Sequence, residues 1–341
     1  MTRLATYRAA VSQGRDLTQS EMRTVMRGIM RGAWADGEIA EFLLSLRVKG
    51  EATEEVAGAV QALRELMTRI ESRHTAVLDT CGTGGDGLST FNVSTAAALV
   101  VAAHGIPVAK HGNRGVSSRS GSADVLQQLG VRVDAPLPVV EKCLDELGIC
   151  FCFAPLWHPS VRSVSEIRAR LGVATIFNWI GPLCNPAEAA YQLIGVGRAD
   201  LRDPVARVAS RLGTLHTVVV HGSDGLDEVT LSGPTEVSCA TAGAGPTELN
   251  WTPGSFGLEV QPLTGTYVDS SAASADIIRA VLAGARGPAR DLVTLNAAAA
   301  LWTAGVSGDL CDLRVHAESA IDSGKARRIL QDLGELSHDG E

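Results

Sequence analysis

Up to about residue 73, apolar residues recur every three or four positions, at Met22, Val25, Met26, Ile29 and Met30 and again at Ile39, Phe42, Leu43 and Leu46. That is the spacing of one buried face on a 3.6-residue helix. Gly37 and Gly50 punctuate the pattern, and Ala52 to Ile70 reads as a further amphipathic helix with Thr53 as its N-cap. From Ala76 the rhythm changes. Short apolar runs at Ala76–Leu78, Ile106–Ala109, Val131–Val133 and Ile149–Phe153 alternate with helical windows near Thr95–His104, Ser122–Leu129 and Pro138–Leu147. Gly105, Gly130 and Gly148 each follow a helical window, where a residue free to take positive φ closes the last turn.

Such alternation predicts an α/β fold, a mostly parallel central sheet flanked by helices, with a smaller all-helical N-terminal domain. The helical piece Glu166–Leu171 leads to a turn between domains at Gly181-Pro182 and Asn185-Pro186. The alternation resumes with strands at Leu193–Val196 and Thr217–Val220 around a helix at Pro204–Leu212. Residues 232–272 have β character, and helices dominate from Ser274 to Leu336. The expected division is a helical domain of residues 1–73, joined in space by about 160–188, and an α/β domain of 74–159 and 189–341.

Composition narrows the function classes. The 341 residues are 45% hydrophobic and 20% charged, enough to bury a core and inconsistent with disorder. The longest apolar run, Ala96 to Ala103, is far short of the roughly 20 residues that span a bilayer, so no membrane role is expected. A net charge of −8 argues against nucleic acid as the main partner. Seven scattered cysteines without a C-x-x-C pair read as free thiols, with Cys150 and Cys152 on one face of a strand. Together with an N-terminus lacking a signal core, they fit a reducing cytoplasm, which is the expected location.

Against that acidic background, Gly87 to Ala123 holds no Asp or Glu, but does hold Lys110, Arg114, Arg119 and a run of hydroxyls. Just before it, Asp79-Thr80-Cys81-Gly82-Thr83-Gly84-Gly85-Asp86-Gly87 follows a predicted strand and precedes a helix, the arrangement of a phosphate cradle. Gly82, Gly84 and Gly87 satisfy G-x-G-x-x-G, yet Lys110 and His111 occupy the region where a dinucleotide site wants a carboxylate. No Gly-Lys-Ser/Thr completes a Walker A loop either. A ligand-free βα turn is the plain alternative. The segment from Lys110 to Ser118 leaves the next strand end, beside the first. After the strand Thr217–Val220, Asp227 and Glu228 either face this cradle and hold Mg²⁺, with Ser94 opposite, or are solvated loop carboxylates.

Taken in order, Gly82-Thr83-Gly84-Gly85-Asp86, Asn92-Val93-Ser94-Thr95, Lys110 to Ser118, Gly121-Ser122-Ala123-Asp124, Phe177-Asn178, Gly181-Pro182-Leu183, Asn185-Pro186 and Gly225-Leu226-Asp227-Glu228 closely resemble the anthranilate phosphoribosyltransferase family from about Thr18 to Ala326. The resemblance implies transfer of the phosphoribosyl group of phosphoribosyl pyrophosphate to the amine of anthranilate, in tryptophan biosynthesis. It implies that the donor is bound by Gly82, Gly85, Asp86, Thr90, Asn92, Val93, Ser94, Thr95, Lys110, His111, Gly112, Asn113, Arg114, Gly115, Val116, Ser117, Ser118 and Ser122. Anthranilate would meet Gly82, Asn113 and Arg168, whose planar fork of donors suits a carboxylate. Ser94, Asp227 and Glu228 would hold two Mg²⁺ ions.

The resemblance also implies a homodimer. No acid, base or nucleophile stands out, so Lys110 is expected to act electrostatically on the departing pyrophosphate. Departures from the pattern are Trp157, where many relatives carry a second His, and Ala174, where Arg is frequent. Trp157 bears on the anthranilate entrance, and His158 beside it reads equally as a structural histidine. The competing readings are a nucleoside phosphorylase of similar architecture, whose usual Lys-His-Ser-Thr-Gly-Gly type loop is missing, and a non-catalytic relative that binds an anion or nucleic acid.

Overall fold

A computed structural model of the chain describes residues 3–115 and 119–339. The chain opens with four helices, α1 (Arg3–Ser12), α2 (Gln19–Met30), α3 (Asp36–Lys49) and α4 (Thr53–Leu66). Thr18 caps α2 in a reciprocal box with Glu21, and the helix buries Met22, Val25, Met26, Ile29 and Met30, the face its spacing predicts. α4 crosses α2 closely because Gly58 has no side chain: a Cβ there would lie 2.3 Å from the Gln19 carbonyl oxygen.

The start of α4 differs from expectation. Its N-cap is Ala52, and Thr53 already lies inside the helix. Capping passes to Glu55, whose fully buried carboxylate accepts from the Ala52 amide at 2.8 Å, the Leu17 amide at 2.9 Å and Lys49 Nζ at 2.8 Å. α4 also stops at Leu66, short of Ile70, and Gly37 sits in the first turn of α3 instead of ending a helix.

The sheet follows. Its strands alternate with helices in the order β1 (Leu78–Gly82), α5 (Val93–His104), β2 (Val108–Gly112), α6 (Ser122–Gln128), α7 (Leu137–Leu147) and β3 (Ile149–Phe153). After the short α8 (Ala154–Trp157) and α9 (Arg162–Leu171) come β4 (Tyr191–Gly195), α10 (Arg202–Arg211), β5 (His216–Gly222), β6 (Thr235–Thr241) and β7 (Thr247–Trp251). The helices α11 (Ser271–Leu282), α12 (Pro288–Thr303), α13 (Leu310–Asp322) and α14 (Lys325–Leu336) close the chain. The strand order is β3-β2-β1-β4-β5-β6-β7, parallel from β3 to β5 and antiparallel beyond. The fold is therefore mixed α/β with a mostly parallel sheet.

Two strand expectations change. Val131–Val133 forms no strand; both valines drop into the core from a loop, and β3 takes the edge position beside β2. β1 begins at Leu78 and runs on through Asp79, Thr80 and Cys81, so the first part of the expected cradle is strand. One face of the sheet packs with α5, α7 and α11–α14 around Leu78, Val108 and Val218. On the other, Ile194, Val196 and Val219 share a single apolar cluster with α10, with α2–α4 and with Val164 and Ile167 of α9. The N-terminal bundle thus packs on the second sheet face by way of α10, which meets α4 on one side and β5 and β6 on the other.

Candidate active site

In the strand order the chain goes one way from β1 to β2 and the other way from β1 to β4, which leaves a crevice at the carboxyl ends of these strands. A cavity of about 380 Å³ fills it. Its floor is set by β1, whose last residue, Gly82, is followed by Thr83 with its amide bonded to the Gly195 carbonyl of β4 at 2.8 Å. Gly84 and Gly85 take φ of +65° and +83°, which only glycine adopts without strain.

The turn after β5 brings in the acidic pair. Asp224 shapes that turn by accepting from the Leu226 amide and from the hydroxyls of Thr230 and Ser232. Asn296 then exchanges two 2.9 Å bonds with the Val229 backbone, just after the pair. Asp227 lies so close to β4 that a Cβ on Gly195 would sit 1.6 Å from its carbonyl oxygen, and a Cβ on Gly82 would sit 2.7 Å from its Oδ2. That Oδ2 accepts from the Gly84 amide at 3.1 Å, while Glu228 Oε1 accepts from the Ser94 amide at 3.0 Å. The pair is therefore bound to both edges of the glycine loop, the end of β1 and the start of α5.

Both carboxyls hold their protons unusually well. Burial, then the neighbouring Asp86 charge, pushes Asp227 up to about 7; burial, then Asp227, pushes Glu228 up to about 8. A divalent cation would relieve this repulsion. Among the described residues no three His, Cys, Asp or Glu side chains gather in metal-binding geometry. An ion here would have two protein carboxylates and take its remaining oxygens from substrate and water, which is how Mg²⁺ is commonly held. The donor set fits the ion.

Beneath the pair, Lys110 is buried and its ammonium donates to the Thr80 carbonyl at 2.5 Å and to Ser94 Oγ at 3.2 Å. Burial lowers its pKa, offset by the charges of Asp79 and Glu228. Asp79, fully buried, accepts from the His111 amide at 3.0 Å and from Cys81 Sγ at 3.3 Å, tying β1 to β2 under the cleft. From sequence, Asp79 is expected only at the head of the cradle and with no role, although an acid directly after the apolar run Ala76–Leu78 is itself a signal.

The expected donor residues Gly82, Gly85, Asp86, Thr90, Asn92, Val93, Ser94, Lys110, His111, Gly112, Asn113, Arg114, Gly115 and Ser122 all line the cavity, as do Arg168, Asp227 and Glu228. Thr95 does not; its side chain is buried below, in α5. The Asn92 side chain is engaged within the protein, with Oδ1 accepting from Ser120 Oγ at 2.6 Å and Ser274 Oγ at 2.8 Å. Ser274, missed from sequence, lies on α11 far away along the chain. Val116, Ser117 and Ser118 lie outside the described residues.

Across the cavity, Arg168 projects from α9 with its guanidinium 5.4 Å above the Phe177 ring. Burial lowers its pKa, and no carboxylate pairs with it among the described residues. A smaller cavity of about 210 Å³ adjoins, sharing His111, Asn113, Arg168 and Phe177 and adding His158, Pro155 and Ile180. His111 and His158 face each other at 5.3 Å, and burial takes them down to about 3 and about 4, so both are neutral at physiological pH. Trp157 is buried in the core and lines neither cavity. Ala174 lies on a different cavity, where its carbonyl accepts from Arg47 at 2.9 Å. The site thus joins an anion cleft bearing a buried carboxylate pair to a recess lined by Phe177, His111 and His158, with a guanidinium that meets no carboxylate among the described residues.

Comparison with known proteins points the same way. Residues 74–327 match the model of the glycosyl transferase family a/b domain, and residues 7–67 match that family's helical bundle domain. The chain is 47% identical over 321 residues to an anthranilate phosphoribosyltransferase of Moorella thermoacetica, covering 94% of each chain. It is 48% identical to that of Chromobacterium violaceum, covering 95% of each. Among solved structures, the Thermus thermophilus enzyme superimposes with a TM-score of 0.89 at 38% identity, covering 97% of this chain and 98% of that one. The Saccharomyces cerevisiae enzyme in complex with phosphoribosyl pyrophosphate and Mg superimposes with the same score at 28% identity, covering 98% and 97%.

Proposed function

The chain belongs to the glycosyl transferase family, among its anthranilate phosphoribosyltransferases, and from that premise we propose how the cleft carries out the reaction. The enzyme transfers the phosphoribosyl group of phosphoribosyl pyrophosphate to the amine of anthranilate, a step of tryptophan biosynthesis that yields N-(5-phosphoribosyl)anthranilate and pyrophosphate. The observation that carries our reading is the pairing of Asp227 and Glu228 with the amides of Gly84 and Ser94, facing across one cavity an Arg168 that meets no carboxylate among the described residues.

The donor occupies the larger cavity as a magnesium complex. The cavity lining sets Asp86, Asp227 and Glu228 against Lys110, Arg114 and Arg168, with Asp227 and Glu228 crowded side by side. That local concentration of carboxylates suits two divalent ions, which Asp227, Glu228 and the Ser94 hydroxyl would hold. When bound, the ions neutralise charge on the pyrophosphate. The glycine loop, the Lys110–Gly115 segment and Ser122 fix the phosphates and ribose, and Lys110 adds a positive charge from below.

Anthranilate enters the adjoining recess with its carboxylate on Arg168 and its ring beside Phe177 and Asn113. Its aromatic amine is neutral near physiological pH, so nitrogen attacks the anomeric carbon while the bond from that carbon to pyrophosphate breaks. The amine proton is then released to solvent. The neutral His111 and His158 form a polar wall without adding charge. Positioning and electrostatic stabilisation supply the rate.

We take the active form to be a homodimer. Val48 and Leu44 of α3 are 87% and 38% exposed, leaving an apolar face on the bundle that a second copy would cover. The reaction itself is tested by following anthranilate fluorescence. It is expected to fall only when phosphoribosyl pyrophosphate and Mg²⁺ are both present, and a fluorescence that persists under those conditions rejects the reading.

A further inference from the structure

The anion loop after β2 is closed at its base by one carboxylate. Asp124 Oδ2 accepts from the Gly115 amide at 2.9 Å and from the Gly121 amide at 3.1 Å, and Oδ1 accepts from Arg114 Nη1 at 2.9 Å. The two limbs of the loop touch there. A Cβ on Gly121 would lie 2.1 Å from the Gly115 nitrogen, and one on Gly112 would lie 2.0 Å from Ser122 Oγ. The Ala123 amide adds a 3.1 Å bond back to the Asn113 carbonyl. Arg114 is held on three sides, by Asp124, by Gln127 Oε1 at 2.8 Å and by the Phe153 ring 5.6 Å from its guanidinium carbon.

Asp124 is also the third residue of α6, and its bond to the N-cap residue Gly121 is half of an ordinary capping box. A cap accounts for that bond alone. It does not require the carboxylate to reach nine residues back to Gly115, nor to hold Arg114.

We infer that Asp124 is the positioning residue of the phosphoribosyl-donor loop. Its carboxylate sets where Asn113, Arg114 and Gly115 present their groups to the cleft, and it touches no substrate itself. The ionised state suits this work: burial raises its pKa, but the two amides and Arg114 bring it below the ordinary value. Binding of an anionic donor draws Arg114 toward phosphate, while the two amide bonds keep the loop's base in place.

This inference rests on the reading of the cleft as the donor site, and the test separates the two. Asp124→Glu keeps the residue type that capping boxes prefer at this position, but its extra methylene moves the oxygens off Gly115 and Arg114. We expect D124E to melt with the wild type, to raise KM for phosphoribosyl pyrophosphate about ten- to hundredfold, and to leave KM for anthranilate within about twofold. The isosteric Asp124→Asn, which loses an acceptor, should shift the same constant if Glu disturbs packing. Donor KM at the wild-type value in both variants, or equal losses for both substrates, overturns the inference. Wild-type protein that fails to bind the donor overturns the underlying reading instead.

Discussion

At the scale of single residues, the functional groups are set by how deeply the fold buries charge and how close it brings like charges together. Asp227 and Glu228 sit at about 7 and about 8 in place of 3.8 and 4.5. Between about pH 4 and pH 8 the metal-free folded protein therefore holds protons that the unfolded chain has lost. Its stability falls as pH rises through that window. The melting temperature without metal is expected to drop from about pH 5 to about pH 8.5, and added Mg²⁺ to raise it most at the alkaline end, where it no longer displaces protons. A flat profile in a thermal scan would contradict the assignment. Arg168 makes a second residue-scale case. A hydrogen bond to a charged group contributes about 1.5–3 kcal/mol, so Arg168→Ala should weaken anthranilate binding about 10- to 100-fold while donor binding changes little. Equal losses in the two constants would make Arg168 a structural residue.

At the scale of elements, glycine decides where strand ends can meet loops. Gly195→Ala would place a methyl 1.6 Å from the Asp227 carbonyl oxygen, against backbone that cannot give way. We expect this variant to lose the acidic turn's position and its Mg²⁺ response, seen as turnover that no longer rises with added metal. Full metal dependence in G195A would show that the turn is not held by this contact. The elements themselves were largely legible in the chain. The helix α2 carries clear helical periodicity, the strands β3–β5 are short apolar runs bounded by turn residues, and the glycine loop and the acidic pair stand out by composition. What could not be read has physical causes. Val131 and Val133 look like a strand because alternating burial is also what a loop shows when it tucks two valines into a core. Thr53 looked like a cap because the actual capping group, Glu55, works from inside the helix and from a buried position. Asp79 follows an apolar run, which is a signal, but its partner His111, like Asn92 for Ser274, is remote in sequence, and no local pattern encodes such pairs.

At the scale of the whole molecule, the N-terminal bundle and the sheet share one apolar cluster, so the recess holding Arg168 is bounded by α9, which packs within that cluster, and by the β2 end of the sheet. Substrate access is thereby tied to how the bundle sits on the sheet. The exposed face of α3 gives a separate test of assembly: Leu44→Asp with Val48→Asp should move the sedimentation coefficient from dimer to monomer without unfolding α3, whose buried side carries Phe42, Leu43 and Leu46. A coefficient that does not change would place the interface elsewhere. The central claim is that the acidic pair, bound to both strand-end loops, takes up the sugar diphosphate as its magnesium complex. Calorimetric titration of phosphoribosyl pyrophosphate tests it most directly. We predict strong binding to the wild type only with Mg²⁺ present, and loss of that binding in the folded Asp227→Asn, Glu228→Gln double variant. Equal binding by both proteins, with or without the metal, would contradict the account.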